Sequence, residues 1–286
     1  MGEILSKAHR FILNNARLLE RRLYEVHFGN VSPVYVGQVV RAYQNPDGGL
    51  GHGLEPDVRC SESQPLFVSQ GLAVLEEVGY RDIEFATSLC DYLESVSDTN
   101  GLLPIIIDSA YQSPIASHWY ESKITPGLNP TIEICGLLHF QGVQHDWLTL
   151  ATDTCCNFLF ENPPREAHTL YCVSRLAEYI PDRKIAMNIL DVIDKYLPQS
   201  GYYIPEVPVE IYGLTPLHFA PKPDSMCRKI FTQSQIDDHL DDLIGKQLPD
   251  GGWSISWEAP GAASKLEWRG RWTLDALIRL SAYDRL

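Results

Sequence analysis

This sequence is short of positive charge: 23 lysines and arginines stand against 37 aspartates and glutamates, a net charge of −14 over 286 residues. No basic stripe is present, which excludes the phosphate neutralisation that nucleic-acid binding needs. The chain also lacks any run approaching the ~18 consecutive apolar residues of a membrane-spanning helix, and no apolar signal-peptide segment is recognisable. Strand-like alternation is almost missing as well; "LLPIII" at 102–107 is the one strand candidate. There is no disulfide framework. The seven cysteines (Cys60, Cys90, Cys135, Cys155, Cys156, Cys172 and Cys227) are odd in number and scattered through helical segments, as expected of reduced thiols in a cytoplasmic protein.

What is abundant is helical periodicity. Residues 3–27 carry Ile4, Leu5, Ala8, Phe11, Ile12, Ala16, Leu19 and Leu23 on one stripe. Similar patterns predict helices at about 32–44, 63–78, 82–95, 130–141, 146–161, 166–180, 183–197, 232–248 and 266–284. "SPVYV", "SQPLF" and "NPTIE" mark starts, with proline in the first turn. The fold class is all-α.

The helices repeat. Gly48-Gly49, Gly101, Gly201 and Gly251-Gly252 each follow a helix and a polar turn, in "NPDGGL", "DTNGLLP", "PQSGYYIP" and "LPDGGW". Allowing one degenerate copy near "QGVQHDW", the period is about fifty residues, two helices and their connections. A lone helix hairpin cannot bury its apolar face, so neighbours stack, and about five to six such units fill the chain. An array of that size can close as an α/α toroid, an inner ring of helices inside an outer one, forming a single domain over 1–286.

The turn from Gln247 to Trp253, Gln-Leu-Pro-Asp-Gly-Gly-Trp, resembles the Gln–Trp repeat of squalene–hopene cyclases and related terpenoid cyclases. The period resembles the wider cyclase and protein-prenyltransferase toroid superfamily. Taken together, "NPDGGLGHGLEPDVR", "LNPTIEICGLLH", "LHFAPKPDS" and "LEWRGRWTLDAL" resemble a group of bacterial prenyltransferase-like proteins of unassigned function. The chain departs from the characterised relatives where their chemistry lies. It has no Asp-x-Asp-Asp acid motif, no prenyltransferase zinc set and no lanthionine-cyclase Cys-His-Gly pattern. The resemblance therefore implies a fold and an isoprenoid-type ligand, and it names no metal or cofactor.

The shared Asp-Gly-Gly core reads as a clip, because glycine accepts positive φ and aspartate bonds its own downstream backbone. The first copy alone continues into "GHGLEPDVR", placing His52, Glu55, Asp57 and Arg59 within eight residues. Burial or a like charge there would keep one carboxyl protonated near neutrality for acid–base work; a salt-bridged structural loop is the other reading. "LEWRGRW" places Glu267, Arg269 and Arg271 around Trp268 and Trp272, either as a brace for a helix end or as an anion clamp and cation–π wall. His118, Trp119, Glu121, Glu133, His139 and Tyr171 are further polar and aromatic candidates. Glu133, in a first helical turn, is expected to be held ionised by the helix dipole.

Two metal-like patterns read as structural. In "DDHLDD", Asp237–Asp242, the aspartates lie opposite the apolar face of Ile236, Leu240 and Leu243 and are expected to face water. Cys155-Cys156 with His168 and Cys172 has the wrong spacing for zinc.

Three functions remain open. The first is a terpenoid-cyclase-like enzyme or binder of a hydrophobic isoprenoid. In it Asp57 is the acid, His52 or Glu55 tunes it, Trp119, Trp253 and Trp268 face a carbocation, and Arg59, Glu133, Tyr171, Glu267 and Arg269 with His118 line the substrate. The second is a carbohydrate hydrolase or lyase pairing Asp57 with Glu133 or Glu267. The third is a non-catalytic scaffold. Since class II cyclases set their cavity between two barrels, a homodimer or partner barrel is also expected.

Overall fold

The computed structural model describes residues 2–121 and 125–286, and among them every regular element is helical. In chain order these are α1 (Glu3–Asn15), α2 (Leu18–Gly29), α3 (Val34–Arg41), α4 (Pro65–Glu77) and α5 (Ile83–Val96), then the short α6 (Ser117–Glu121). They continue with α7 (Leu128–Gln141), α8 (Asp146–Glu161), α9 (Ala167–Tyr179), α10 (Arg183–Tyr196), α11 (Pro216–Phe219), α12 (Gln233–Gly245) and α13 (Ala262–Ala282). Side chains fix several starts: Asp82 accepts the Phe85 N–H, Glu166 those of His168 and Thr169, and Thr232 with Gln235 forms a capping box.

The helices are arranged in a closed order of neighbours. α2 packs on α3, α3 on α4, α4 on α7, α7 on α9, α9 on α11, α11 on α12, α12 on α13, and α13 returns to α2. Flanking this order, α1 lies on α13, α5 and α8 on α7, and α10 on α9. α7 is covered on nearly every side, and from Pro130 to Leu138 it is buried throughout, as a helix walled in by neighbours must be. One apolar cluster extends from Ala8 to Leu280.

Three turns are the same clip. Asn45, Asp98 and Leu248 each donate their N–H four residues ahead, to Gly49, Leu102 and Gly252, while Gly48, Gly101 and Gly251 donate back to them. Gln44 and Gln247 bridge to the Gly48 and Gly251 carbonyls at 3.0 Å, and Asp47 and Asp250 accept from Gly49 and Gly252. Each pivotal glycine has positive φ and presses on a flanking helix: Gly48 on Ser88 of α5, Gly101 on Ala151 of α8, and Gly251 on Lys7 of α1. Gln247 also donates to the Ile4 carbonyl at 3.0 Å, tying the late turn to the first helix.

Three expectations are corrected. The stretch 3–27 is not one helix: Ala16 and Arg17 are extended, because Ala16 is wedged against Gly270 and Arg17 reaches Glu20 and the Leu54 carbonyl. "LLPIII" forms no strand; it is a buried connection held by a single bridge from Leu103 to Gly127 and by the Gln64 side chain at Ile107. The turn at Gly201 is not a copy of the clip, since its positive φ falls on Tyr202 and its bridge runs to Glu166.

Candidate functional site: a buried acid in a tryptophan cage

The extension of the first clip folds inward. Arg17 donates to the Leu54 carbonyl at 2.8 Å, Ala116 donates to the Asp57 carbonyl at 2.9 Å, and Leu54 and Val58 anchor the loop in the core. Glu55 and Asp57 are thereby buried, at 4% and 2% exposure. Glu55 Oε2 accepts the Asp57 backbone N–H at 2.9 Å. Asp57 Oδ2 accepts the Trp257 indole N–H at 2.8 Å, and Oδ1 is buried without a partner.

Burial pushes the Asp57 carboxyl up to about 6, opposed by the indole N–H groups of Trp257 and Trp268. Burial, and then the adjacent Asp57, push Glu55 well above the usual carboxylate range. The pair thus holds protons close to neutrality.

Around Asp57 stands an aromatic cage. Trp257 meets Trp268, Trp272 and Tyr212 edge to face at 5.2, 5.3 and 5.7 Å between ring centres. Tyr212 stacks on His168, whose Nε2 lies 2.8 Å from the Tyr212 hydroxyl and whose Nδ1 is bonded to Glu166. Trp272 also walls a cavity of about 400 Å³ between α12, α13 and the segments 209–218 and 253–256. Its lining mixes Trp253, Ile255, Leu217 and Leu243 with His218, His239, Lys246 and Arg279.

A second group of charges joins helices that are not successive neighbours. From α4, Glu76 reaches Arg175 of α9 at 3.2 Å, and Glu77 pairs with Arg271 of α13 and His27 of α2. Arg271 also holds Asp275 at 2.6 Å.

The structure separates the sequence candidates. His52 sits exposed at φ 59 while Glu55 and Asp57 are buried. Arg59 pairs with Glu267 at 2.5 Å, bracing the loop against α13. Arg269 grips Asp250 through two 2.8 Å bonds and lies over the Phe11 ring, so it holds the second clip. Trp253 is a core residue whose indole N–H bonds the Leu243 carbonyl, with one side on the cavity. His118 and Trp119 are on α6, their rings 4.9 Å apart, and the side chain of Glu121 lies outside the described residues. Tyr171 accepts from Arg175 at 3.0 Å, and His139 meets Thr152.

Glu133 bonds Ser69 at 2.8 Å and faces Arg175 at 3.8 Å. Its expected dipole-held ionisation is corrected: burial raises its carboxyl despite Arg175 and Ser69. Of the aspartates in "DDHLDD", Asp242 departs from the water-facing expectation and lines the cavity, paired to Lys246 at 2.6 Å. Cys172 turns toward Glu133 and His168 toward Tyr212, so the zinc-like set is not assembled.

Trp257, Tyr212 and Arg279 are candidate-site residues that the sequence patterns do not single out. The second tryptophan four residues after Trp253, in "WSISWEAP", is the available signal for Trp257. The chain matches no family model, no curated protein and no solved structure.

Proposed function

We propose that the closed order of helices is an α/α toroid and that the chain is a general-acid enzyme acting on a hydrophobic, isoprenoid-type small molecule. The observation that carries this is Asp57 itself: a carboxyl buried to 2% exposure and raised to about 6, with one oxygen capped by Trp257 and the other buried beside the Trp268 indole without a full hydrogen bond. A carboxylic acid held protonated has a proton to give, and proton transfer is efficient when the pKa lies near the working pH. The faces of Trp257, Trp268 and Trp272 supply quadrupoles that stabilise a cation formed by protonating an alkene. Glu55 keeps Asp57 in place through the 2.9 Å bond to its backbone N–H.

The test is native mass spectrometry of the freshly purified chain with organic extraction, then turnover assays of wild type and Asp57→Asn on whatever isoprenoid is recovered. Loss of turnover with retained binding in Asp57→Asn supports the acid. Unchanged turnover removes Asp57 from that role.

A scaffold reading has one observation in its favour, the ion pairs from α4 to α9 and α13 that tie the interior together. It is the reading left if no small molecule travels with the protein and none is bound on addition.

A further inference from the structure

We infer that the cavity between α12 and α13 is a binding site for a ligand carrying an oxyanion on a flat apolar body, with Arg279 as the seat of the anion. Although the chain is strongly acidic, the cavity's uncompensated charge is positive. Its one lining carboxylate, Asp242, is paired with Lys246 at 2.6 Å, and Lys246 also donates to the Val209 carbonyl. Arg279 forms no ion pair with any described residue: Asp275, one turn earlier, is turned to Arg271 at 2.6 Å and acts on Arg279 only at longer range. Arg271 and Arg175, each already paired with its own carboxylates, act on it against the pull of Asp275. A guanidinium in this setting lacks the counter-charge that buried cations ordinarily have.

A second donor stands nearby. His218 Nδ1 accepts the Thr215 N–H at 2.9 Å, which leaves the proton of the neutral ring on Nε2, and Nε2 has no partner. Burial, and then Arg279, hold this imidazole well below its ordinary value, so it remains a neutral donor. Elsewhere in the lining, His239 donates to the Pro205 carbonyl, and Gln247 is spent on the clip. Trp253, Trp272, Ile255 and Leu217 supply the apolar walls. A volume of about 400 Å³ suits a small organic acid or phosphomonoester. Neither Arg279 nor His218 needs Asp57 to act as an acid.

The full chain is titrated with phenyl phosphate, phenylacetate and neutral phenylethanol, monitored by tryptophan fluorescence and calorimetry. Saturable binding of both anions is expected, at least about tenfold tighter than the alcohol, as a charge-assisted hydrogen bond confers. Arg279→Gln removes that preference and leaves the alcohol's affinity unchanged, while Asp57→Asn keeps it. Gly245 lines the cavity with open space at its Cβ position, so Gly245→Phe fills the site without touching a charge and abolishes binding of all three. It also decides the matter if Arg279→Gln loses its helical circular dichroism. Equal affinity for alcohol and acids, no binding by wild type, or anion binding that survives a folded Arg279→Gln or Gly245→Phe would each overturn the inference.

Discussion

Trp257 donates its indole N–H to Asp57 Oδ2 at 2.8 Å across 200 positions of chain. Asp57 belongs to the extension of the first clip and Trp257 to the segment after the last, so two copies of one turn deliver their unlike continuations to one place. The shared turn is architectural; the unlike continuations build the candidate site.

The first consequence is a pH-dependent stability difference between wild type and Asp57→Asn. The Asp57 carboxyl rises from its ordinary 3.8 to about 6 in the fold, so the folded state favours its protonated form. Its contribution is fully present below pH ~3.8 and is lost as pH rises through about 6, a swing of up to about 3 kcal/mol. Asparagine does not titrate. Denaturant unfolding should show Asp57→Asn gaining on wild type by that swing between about pH 4 and pH 7.5. A constant difference across the range counts against a raised Asp57.

Trp257→Phe makes the complementary test. The indole N–H stabilises the carboxylate, so removing it should move the Asp57 titration upward by about one unit, as expected of a hydrogen bond to a charged acceptor. Carbon-detected NMR of the Asp57 carboxyl reads this directly. A midpoint that stays put or falls would mean that Trp257 does not set the acid's strength.

The helices are legible because their apolar faces repeat every 3.6 residues, and α8 spans the same residues that its pattern predicts. The break at Ala16 is not, since neither residue there is a helix breaker and the cause, Gly270, lies on another helix. "LLPIII" misleads because a buried connection and a buried strand are equally apolar. In the site, Glu55 and Asp57 stand out as the unshared part of a shared motif. Asp275 and Arg279, which follow Arg271 of "LEWRGRW", do not. Spaced four apart, they look like an ordinary solvated helix face, and only the return of α13 onto α2 places them among other helices.

The clip glycines should be intolerant in a graded way. A Cβ on Gly48 would stand 2.6 Å from the Ser88 carbonyl oxygen and one on Gly251 2.3 Å from that of Lys7, both at positive φ. Both contacts are with backbone, so Gly48→Ala and Gly251→Ala should each cost more than about 1 kcal/mol. Gly245, on α12 with nothing near its Cβ position, is the control, and its alanine variant should be neutral or slightly stabilising. Urea midpoints of the three variants separate these outcomes. Equal effects would remove the clip from its structural role.

The interior ion pairs make the opposite pH prediction to Asp57. Burial alone would raise the Glu77 carboxyl, but Arg271 and His27 outweigh it and hold Glu77 at about 2. Its folded value is therefore depressed, so the stability it confers is present above the ordinary 4.5 and is lost as pH falls through about 2. Glu77→Gln should cost about 3 kcal/mol at pH 7, where it strips a largely buried arginine of one counter-charge and leaves Asp275 as the other. Because glutamine does not titrate, that deficit should shrink steadily below about pH 4.5, whereas Asp57→Asn changes against wild type over the neighbouring range up to about 6. The two variants thus distinguish a carboxylate that holds the helices together from a carboxyl group the fold keeps protonated. A Glu77→Gln deficit that persists unchanged to pH 2 would show that the ion pair with Arg271 contributes shape and packing rather than charge.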